Sequence, residues 1–450
     1  MAKAKKNNVL SLEEKLEQAL VPVEEQTYEV PDNWCWTRFG DIAVFIGGGT
    51  PSKAKSDYWN GEIPWASIKD VKGDYLYETV DTITKCGLEN SSANMCEIGE
   101  LILATRIEPG KTIISNIKTA INQDLKIVKT KLPVKYVHYY LKSQKNEFIE
   151  KSSGSTVLGI TLDNVKEIKI PMPPLAEQQR IVEQIESLFA KLDEAKVKLE
   201  DSIDGIELRK AAIFHKAFTG RLTEKWCRTN GMESSSWEQK VFKNILDVRD
   251  GTHDSPQYYD EGYPIITSKN LKNGTITDKD IKYISKEDYE QINLRSKVDI
   301  GDVLFAMIGT IGNPVVVTDE PNYVIKNMAL FKNIGQLNPF FLKYYLESKV
   351  VKDKMQKEAK GSTQKFVSLG YLRDFPICVP NADEQAEIVR ILDVMLKQEC
   401  DVEMALQSTL KQIEIMKKSI LAKAFRGELG TNNPEEESSI ELLKQILSEE

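Results

Sequence analysis

The sequence predicts an α/β (α+β) protein built as an internal repeat, with two similar mixed domains that are each followed by a long helix. Three observations predict this class. Matching segments recur about 200 residues apart, which is typical of a repeated unit. Short apolar runs alternate with amphipathic helical patterns. Two long stretches carry apolar residues at steps of three and four, as in a coiled coil, so the two long helices most simply pack on each other.

The matching segments cover most of the chain. The offset between them grows from 200 residues near the start to 207 near the end. Insertions therefore fall in the first part of each unit, and the second part is fixed in length. The clearest matches are GEIPWASIKDV (61–71) with EGYPIITSKNL (261–271), IGELILATRI (98–107) with IGDVLFAMIG (300–309), and KAFTGRL (216–222) with KAFRGEL (423–429).

The first part of each unit is a mixed block of about 145 residues, a usual size for one domain. Short, apolar and partly β-branched segments predict buried strands, and apolar residues at helical spacing predict amphipathic helices. The predicted strands are ELILATRI with DVLFAMIG, and EIKIPMPP with DFPICVP as a last strand leaving the domain; the predicted helices are VKYVHYYLKS and FFLKYYLES.

The second part of each unit predicts a helix of about 40 residues, which at ~1.5 Å per residue extends roughly 60 Å. Pro173 and Pro174 precede the first helix, and Gly220 and Gly427 lie where the two helices should end. A pair of ordinary core helices is the alternative, although the apolar seam is long for a small domain. The seam residues are Ile181, Ile185, Leu188, Leu192, Ala195, Leu199, Ile203, Ile206 and Ile213 in the first helix, and Ile388, Leu392, Met395, Val402, Leu406, Leu410, Ile413 and Ile420 in the second.

Short amphipathic helices are expected at residues 11–20 and 438–450, on either side of the repeats. The predicted organisation divides the chain into seven segments. They are an N-terminal helix and linker (1–30), domain one (31–173), the central long helix (174–222), a linker (223–236), domain two (237–380), the C-terminal long helix (381–429) and an acidic terminal helix (430–450).

Composition excludes several classes of protein. The 450 residues are 41% hydrophobic and 28% charged, with a net charge of −8, yet residues 31–173 carry 18 Lys/Arg against 17 Asp/Glu and residues 231–380 carry 20 of each. The acidity lies outside the two domains, so each domain can still present a basic face. The longest apolar runs fall short of a membrane span. The six cysteines lack CxxC spacing and there are three histidines, which argues against a zinc site. A cytoplasmic protein is expected.

The stretch FIGGGTPSK (45–53) resembles a phosphate-binding loop but lacks the required spacing. A Walker loop needs Gly directly before Lys, and here Ser52 precedes Lys53. The repeat counterpart, RDGTHDSP (249–256), keeps Gly251, Thr252 and Pro256 and loses the glycine run and the lysine. This predicts a surface loop with a fixed turn rather than a nucleotide pocket.

Other candidate motifs also favour structural readings. NPFF (338–341) resembles the NPP[YF] motif of amino-methyltransferases but lacks the second proline, and it favours a helix start capped by Asn338. Asp163, Glu167 and Lys169 lack the spacing of a nuclease metal site. No catalytic residue, metal ligand or cofactor loop is therefore predicted in this chain.

With these segments in view, the sequence resembles the specificity (S) subunits of type I restriction–modification systems over nearly its whole length. The resemblance rests on IPMPPLAEQQRIVEQIESLFAKLDE (170–194), on the two KAF-x-G-x-L endings, on GGGTPS and on the two-fold order of the chain. The second copy, VPNADEQAEIV, departs from this pattern, since Pro174 and Leu175 become Asn381 and Ala382.

The resemblance implies two α/β target-recognition domains separated by two helices that form an antiparallel coiled coil. Each domain is expected to read one half of a split target in double-stranded DNA, and the coiled coil to set the spacer and dock two modification (methyltransferase) subunits. Restriction (translocase/nuclease) subunits would complete the complex. Adenine methylation, ATP hydrolysis and cleavage would belong to those partners, which would use S-adenosylmethionine, ATP and Mg, while this chain binds no cofactor.

The candidate DNA-binding residues lie in polar loops or at strand ends, where side chains can reach base edges. The glycine-rich loop at 45–53 is expected to face DNA, because its glycines permit close approach to the backbone. The aromatic residues Tyr58, Trp59 and Trp65 are instead expected in the core. The DNA-binding candidates are Thr50, Ser52, Lys53, Lys69, Arg106, Ser155 and Thr156 in domain one, and Thr252, His253, Lys269, Ser362, Thr363 and Gln364 in domain two.

Two other functions are compatible with parts of the sequence. One is a non-catalytic scaffold that uses the coiled coil to hold two proteins apart. The other is a specificity subunit of an orphan adenine methyltransferase without nuclease, separate or fused to its methyltransferase. Missing methyltransferase motifs disfavour a fusion, and salt-dependent binding to duplex DNA with a methyltransferase partner would exclude the scaffold.

Overall fold

The computed structural model describes residues 11–232, 237–362 and 364–449, which fold into two compact units. The first unit takes in the chain up to Val197 together with the chain from Thr409 onward, and the second runs Lys198–Ser408. Both units combine helices with sheets, which confirms the predicted class. Each long helix is divided between the two units.

The first unit contains the elements from the N-terminal helix to the first half of the long helix. Its strands are β1 (Cys35–Arg38), β2 (Ala43–Gly47), β3 (Trp59–Ala66), β4 (Tyr75–Leu76), β5 (Asp81–Ile83), β6 (Asn94–Cys96), β7 (Leu101–Ala104), β8 (Thr112–Ser115), β9 (Thr119–Ile121), β10 (Leu125–Thr130) and β11 (Lys169–Met172). Its helices are α1 (Leu12–Ala19), α2 (Phe39–Ile42), α3 (Lys85–Glu89), α4 (Val134–Ser143), α5 (Lys145–Glu150), α6 (Leu162–Lys166) and the start of α7 (Leu175–Phe218).

The second unit follows the same order, and the chain then returns to the first unit. Its strands are β12 (Glu238–Val241), β13 (Asp247–Asp250), β14 (Tyr263–Thr267), β15 (Leu271–Lys272), β16 (Thr275–Ile276), β17 (Lys282–Ile284), β18 (Val303–Ala306), β19 (Gly312–Val316), β20 (Val324–Lys326), β21 (Met328–Lys332) and β22 (Pro376–Val379). The remaining helices are α8 (Glu224–Thr229), α9 (Phe242–Ile245), α10 (Lys286–Ser296), α11 (Pro339–Glu347), α12 (Lys349–Glu358), α13 (Leu369–Arg373), α14 (Ala382–Ala424) and α15 (Ser439–Ser448).

Sheet topology repeats between the units, as the sequence predicts. The first unit has a sheet of order β2-β10-β7-β8-β4 and a smaller sheet of order β5-β3-β9-β6; the second has β13-β21-β18-β19 and β17-β14-β20. A further pair, β1 with β11 or β12 with β22, closes each domain where the chain enters and leaves it. The small sheets differ by β6, which agrees with insertions in the first part of each unit.

Both small sheets contain one parallel pair, and this pair positions the candidate site. In the first unit Ala66 of β3 lies opposite Ile121 of β9, and in the second Thr267 of β14 lies opposite Lys326 of β20. Because parallel strands leave a sheet on the same side, the turns that follow them lie next to each other. Both turns after β3 and β14 are short 3₁₀ helices with a capping box, Ser67 with Asp70 and Thr267 with Asn270.

The predicted seam residues lie on the inner faces of the long helices. In the first unit Asp193 pairs with Lys417 and Lys196 with Glu414, so α7 and α14 run antiparallel there. The seam side chains in both units are buried or half-buried: Ile181, Ile185, Leu188 and Leu199 in α7, and Ile388, Leu392, Met395 and Leu406 in α14.

One seam residue was predicted wrongly. Val402 is 46% exposed, whereas Glu399 and Glu403 are half-buried and pair with Arg209 and Lys210 of α7. Apolar spacing alone missed this, because long arginine and lysine side chains can cover an inner face as their stems pack against it.

The predicted features at the helix ends are confirmed. Pro174 directly precedes α7, and Asn381 caps α14 by accepting the Glu384 amide at 2.9 Å. Asn338 likewise caps α11 by accepting the Phe340 amide at 2.9 Å. The predicted terminal helices are α1 and α15. In the predicted linker at 223–236, however, residues 224–229 form α8 and Cys227 is buried; residues 233–236 lie outside the described residues.

A buried carboxylate joins the start of each long helix to the domain beside it. Glu177 is fully buried, and its carboxylate accepts three hydrogen bonds. The donors are Trp34 Nε1 at 2.8 Å, Asn432 Nδ2 at 3.0 Å and Thr431 Oγ1 at 3.3 Å. In the second unit Glu384 occupies the same place and accepts Thr223 Oγ1 at 2.7 Å and Trp237 Nε1 at 3.1 Å. A buried carboxylate needs such donors to offset the cost of leaving water.

Glu177→Ala should therefore lower the free energy of unfolding by about 3 kcal/mol, because it leaves the buried Trp34 indole N–H without its acceptor and removes the hydrogen bonds from the half-buried Thr431 and Asn432. Urea unfolding of the full chain measures this. Glu183→Ala is the matched control, since Glu183 is exposed on the same helix and should change stability by less than about 0.5 kcal/mol. Equal effects of the two substitutions would contradict a stabilising role for Glu177.

Candidate nucleic-acid interface

A cleft lies in the first unit beside the parallel pair β3 and β9. Its volume is about 830 Å³, and its lining combines the glycine-rich loop, the turn after β3 and the residues after β9. Thr50, Lys53 and Lys69, all predicted DNA-binding residues, lie in this lining together with Gln123 and Asp124. The structure therefore brings together residues that are far apart in sequence. Lys53 and Lys69 are exposed, as contacts to phosphate require.

The glycines of the loop are needed for its packing onto β9. A Cβ on Gly48 would lie 2.2 Å from the Asn122 carbonyl oxygen, and one on Gly49 would lie 2.1 Å from Ser92 Oγ. The loop is anchored here by the Gly49 amide, which donates to the Ile121 carbonyl at 3.0 Å. Gly48 and Gly49 thus permit close packing of the loop against the end of β9 and against Ser92, and this packing fixes where Thr50 and Lys53 lie. The approach of this loop to DNA stays a prediction.

Two predicted cations carry ion pairs. Lys69 Nζ lies 3.9 Å from Asp81, with its side chain 67% exposed. Arg106 lies 3.2 Å from Asp124, which borders the cleft, and its side chain is 51% exposed. Ser52 is exposed, and its carbonyl accepts Trp59 Nε1 at 3.2 Å. The Lys69–Asp81 pair is solvent-exposed and contributes little to stability. Arg106 instead pairs with a buried carboxylate, that of Asp124.

The two GST segments form equivalent hairpins. Ser153 and Gly159 exchange both backbone hydrogen bonds in the first unit, as Lys360 and Phe366 do in the second. Gly154 has φ +123° and Gly361 φ +101°, backbone conformations that favour glycine. Exposed side chains follow at the hairpin tips, namely Ser155 and Thr156 in the first unit and Ser362 and Gln364 in the second; Thr363 lies outside the described residues.

The first hairpin lies beside Arg106 because Arg106 pairs with Gly159. In the second unit Ile308 pairs with Phe366 in the same way. The two units therefore place a cation and an apolar side chain, respectively, at one equivalent position beside the hairpin.

A second cleft, of about 540 Å³, lies at the equivalent place in the second unit. Its lining includes Lys269 and Gln364, both predicted, together with Lys282, Lys326 and Asn327. Lys282 Nζ also lies 4.2 Å from the centroid of the Tyr258 ring, a cation–π contact. The second cleft is thus lined by three lysines and three amide side chains, with a single aspartate, Asp280.

The prediction that Thr252 is an exposed DNA-binding residue is wrong, because the exposed position of this loop belongs to the next residue, His253. Thr252 is 8% exposed, and its amide donates to the Ile325 carbonyl at 3.0 Å, as that of Gly49 does to Ile121. Thr252 therefore corresponds to Gly49, and His253 corresponds to Thr50. The sequence alignment on the shared Gly-Thr pair misassigned this register because the loops differ in length before the strand.

His253 is exposed and held on both ring nitrogens. Nδ1 lies 2.9 Å from Asn327 Oδ1, and Nε2 lies 2.9 Å from Asp250 Oδ2. The hydrogen bond to Asn327, followed by that to Asp250, raises the pKa of His253 above its usual range. Burial raises the pKa of Asp250, but hydrogen bonds from His253 and Arg295 outweigh it, so the net pKa of Asp250 is lowered.

The expected core positions of the aromatic residues are confirmed for two of three. Tyr58 and Trp65 are each 5% exposed, and Trp65 Nε1 donates to the Gly49 carbonyl at 3.0 Å. Trp59 is half-buried, with its ring edge-on to Trp65 at 5.1 Å. The Trp65 ring thus anchors the glycine-rich loop through its hydrogen bond to Gly49.

Residues 31–203 and 234–412 each match the family described as the type I restriction modification DNA specificity domain. The two matched segments cover most of the chain and coincide with the repeat. The chain belongs to the type I restriction–modification specificity subunit family.

Specificity subunits are also its relatives over longer alignments. The EcoKI specificity subunit of Escherichia coli (strain K12) is 27% identical over 333 residues, which covers 70% of this chain and 71% of that protein. The MjaVIII specificity subunit of Methanocaldococcus jannaschii is 23% identical over 427 residues, or 90% of this chain and 95% of that protein.

Two solved structures share the fold. The HsdS subunit of Thermoanaerobacter tengcongensis is 19% identical with a TM-score of 0.57, covering 90% of this chain and 100% of that one. A chain from work on complex assembly and conformational transition of the type I R-M system is 20% identical with a TM-score of 0.72, covering 89% and 100%.

Within this specificity subunit, sequence reasoning missed Gln123 and Asn327. Both residues line their clefts, at the ends of β9 and β20. They were missed because the surrounding segments, INQDLKIV and VIKNMALF, share too few identical residues for the repeat to align them. The usable signal was an amide side chain within two residues of the end of a short strand in both units. No metal-binding cluster occurs among the residues that the structure describes. In the same part of the chain, every helix is too short or too polar to cross a membrane.

Proposed function

We propose that this specificity subunit reads a bipartite sequence in double-stranded DNA, with residues 31–173 and 237–380 acting as two target-recognition domains that each read one half. The observation that carries the proposal is that one cleft is built twice on the same strands with different lining side chains. A repeated scaffold presents each reader at an equivalent place, and unlike readers specify unlike half-sites.

Cationic side chains in both clefts are suited to phosphate contacts. Lys53 and Lys69 border the first cleft, and Lys269 and Lys282 border the second. Each such contact releases counterions and makes affinity fall with salt. Because the domains carry almost balanced charge, we infer that partner subunits supply further phosphate contacts.

The long helices are proposed to set the unread spacer and to dock two modification (methyltransferase) subunits. Supporting this, α7 and α14 are each uninterrupted from one unit into the other. They also expose apolar side chains that a partner could cover: Val197 and Leu208 on α7, and Val394, Met404, Ile415 and Met416 on α14. Restriction subunits would complete the complex, and the partners would use S-adenosylmethionine, ATP and Mg.

The test is methylome sequencing of a host that carries the modification partner with and without this chain. We expect methylated adenines in a two-part motif with a fixed gap only when both are present. The purified chain alone should neither transfer methyl groups nor hydrolyse ATP. Activity of the chain alone, or the same motif without it, would contradict the proposal.

A further inference from the structure

The two clefts share a side-chain pair at the junction between loop and strand. In the first unit Thr50 Oγ1 donates a hydrogen bond to Gln123 Oε1. In the second unit His253 Nδ1 lies 2.9 Å from Asn327 Oδ1. The pairs occupy equivalent places, because the backbone amide just before each pair makes the same hydrogen bond. The Gly49 amide donates to the Ile121 carbonyl of β9, and the Thr252 amide donates to the Ile325 carbonyl of β20, each at 3.0 Å.

The amide end of each pair is the part that can read a base. Gln123 is exposed and Asn327 is half-buried, and each borders its cleft. Asparagine and glutamine amides present one acceptor and one donor side by side, which matches the N6 donor and N7 acceptor of adenine in the major groove. The loop side chain meets the amide oxygen from one side, so it fixes which way the amide faces.

In both units an aspartate contacts one member of the pair and also forms an ion pair with an arginine. In the first unit Asp124 accepts Gln123 Nε2 at 3.2 Å and pairs with Arg106 at 3.2 Å. In the second unit Asp250 faces His253 Nε2 at 2.9 Å and pairs with Arg295 at 2.5 Å. A reading group held by such a network is preorganised, which is what discrimination between bases requires.

We propose that Gln123 and Asn327 are specificity-determining residues that each read one adenine, in the first and second half-site respectively, and that Thr50 and His253 are their positioning residues. This inference rests on the proposed function. It also explains why the loops differ at Thr50 and His253 on a common scaffold: a two-carbon and a one-carbon amide stem need different partners to hold them in place.

The experiment uses the full chain co-expressed with its modification partner, with methylated sites mapped genome-wide. Gln123→Ala should reduce discrimination at one adenine of one half-site by about 10- to 100-fold, the value of one bidentate contact. Asn327→Ala should do the same in the other half-site. Lys53→Ala is the matched control, since a phosphate contact should weaken methylation without changing the motif.

Gln123→Glu keeps the shape of the side chain and replaces the amide donor with an acceptor. It should shift the preferred base at that position from adenine towards cytosine, whose N4 group donates. The positioning role is tested by Thr50→Val, which should relax the same base as Gln123→Ala, whereas Thr50→Ser should restore the native motif because it restores the hydroxyl donor.

The outcomes separate this inference from the proposed function. If the wild-type chain produces no two-part motif, the proposed function fails. If the wild-type motif appears and both Gln123 variants methylate it unchanged, only the reader assignment fails. Loss of all methylation by both variants, with unchanged thermal melting and assembly, would also overturn the assignment, since a reader should alter one base and not abolish activity.

Discussion

Replacing residues 31–173 with the equivalent domain of another specificity subunit should change one half of the methylated motif and leave the other half unchanged. The physical reason is that the two domains have separate cores: the aromatic residues Tyr136 and Phe148 lie in one, and Phe331 and Phe341 lie in the other. A domain that folds around its own core carries its cleft and its readers with it.

The boundaries of the replacement follow from strand pairing. β1 and β11 pair with each other, with Cys35 opposite Met172, so cuts before β1 and after β11 keep both strands from one source. Several contacts cross these cuts, and two of them in particular must be kept. Trp34 donates to Glu177, and Phe425 at the end of α14 packs edge-on to Tyr136 at 5.4 Å. A donor domain should therefore retain the tryptophan and the α4 tyrosine.

The reciprocal replacement of residues 237–380 is the control, and it should change the opposite half of the motif. Methylome sequencing of both chimeras, beside the parent, gives the result directly. Loss of both halves in a chimera that still assembles with its modification partner would mean that the domains do not read independently.

The internal repeat predicted the architecture well, because segments that match in sequence form the same elements and pack in the same way in both units. Apolar runs such as LILA and VLFA became the buried central strands β7 and β18, since four consecutive buried residues leave no other assignment in a short segment. The helix boundaries followed from Pro174 and from the glycines after each long helix, whose conformational preferences act locally.

The clefts were only partly predictable because they are assembled from segments distant in sequence. Lys53 and Lys69 were found because they lie in polar loops. Gln123 becomes a neighbour of Thr50 only through the antiparallel pairing of β2 with β10, which places Lys126 opposite Gly47. The shift from Thr252 to His253 has the same origin: it is a three-dimensional register, set by the hydrogen bond to Ile325, and a shared Gly-Thr pair does not report it.

Lengthening the long helices should lengthen the unread gap of the target. The proposed spacer role makes axial length along α7 and α14 correspond to distance along DNA. Four residues inserted after Leu199 in α7, with four more after Leu406 in α14, add about one helical turn, roughly 6 Å of rise. One base pair rises about 3.4 Å. We therefore expect the gap to grow by one to two base pairs while both half-site sequences stay the same.

Helical phase supplies the control for this prediction. Four residues nearly complete a turn of about 3.6 residues, so the seam side chains on either side of the insertion keep facing the partner helix, with a local stutter. A single-residue insertion at the same two places rotates the seam by about 100° and turns Ile206 and Ile413, both buried, away from the partner helix. That variant should lose most assembly with the modification subunit. Methylation-site mapping of both variants, with co-purification of the partner to report assembly, checks the outcome; an unchanged gap in an assembled four-residue variant would show that the helices do not set the spacer.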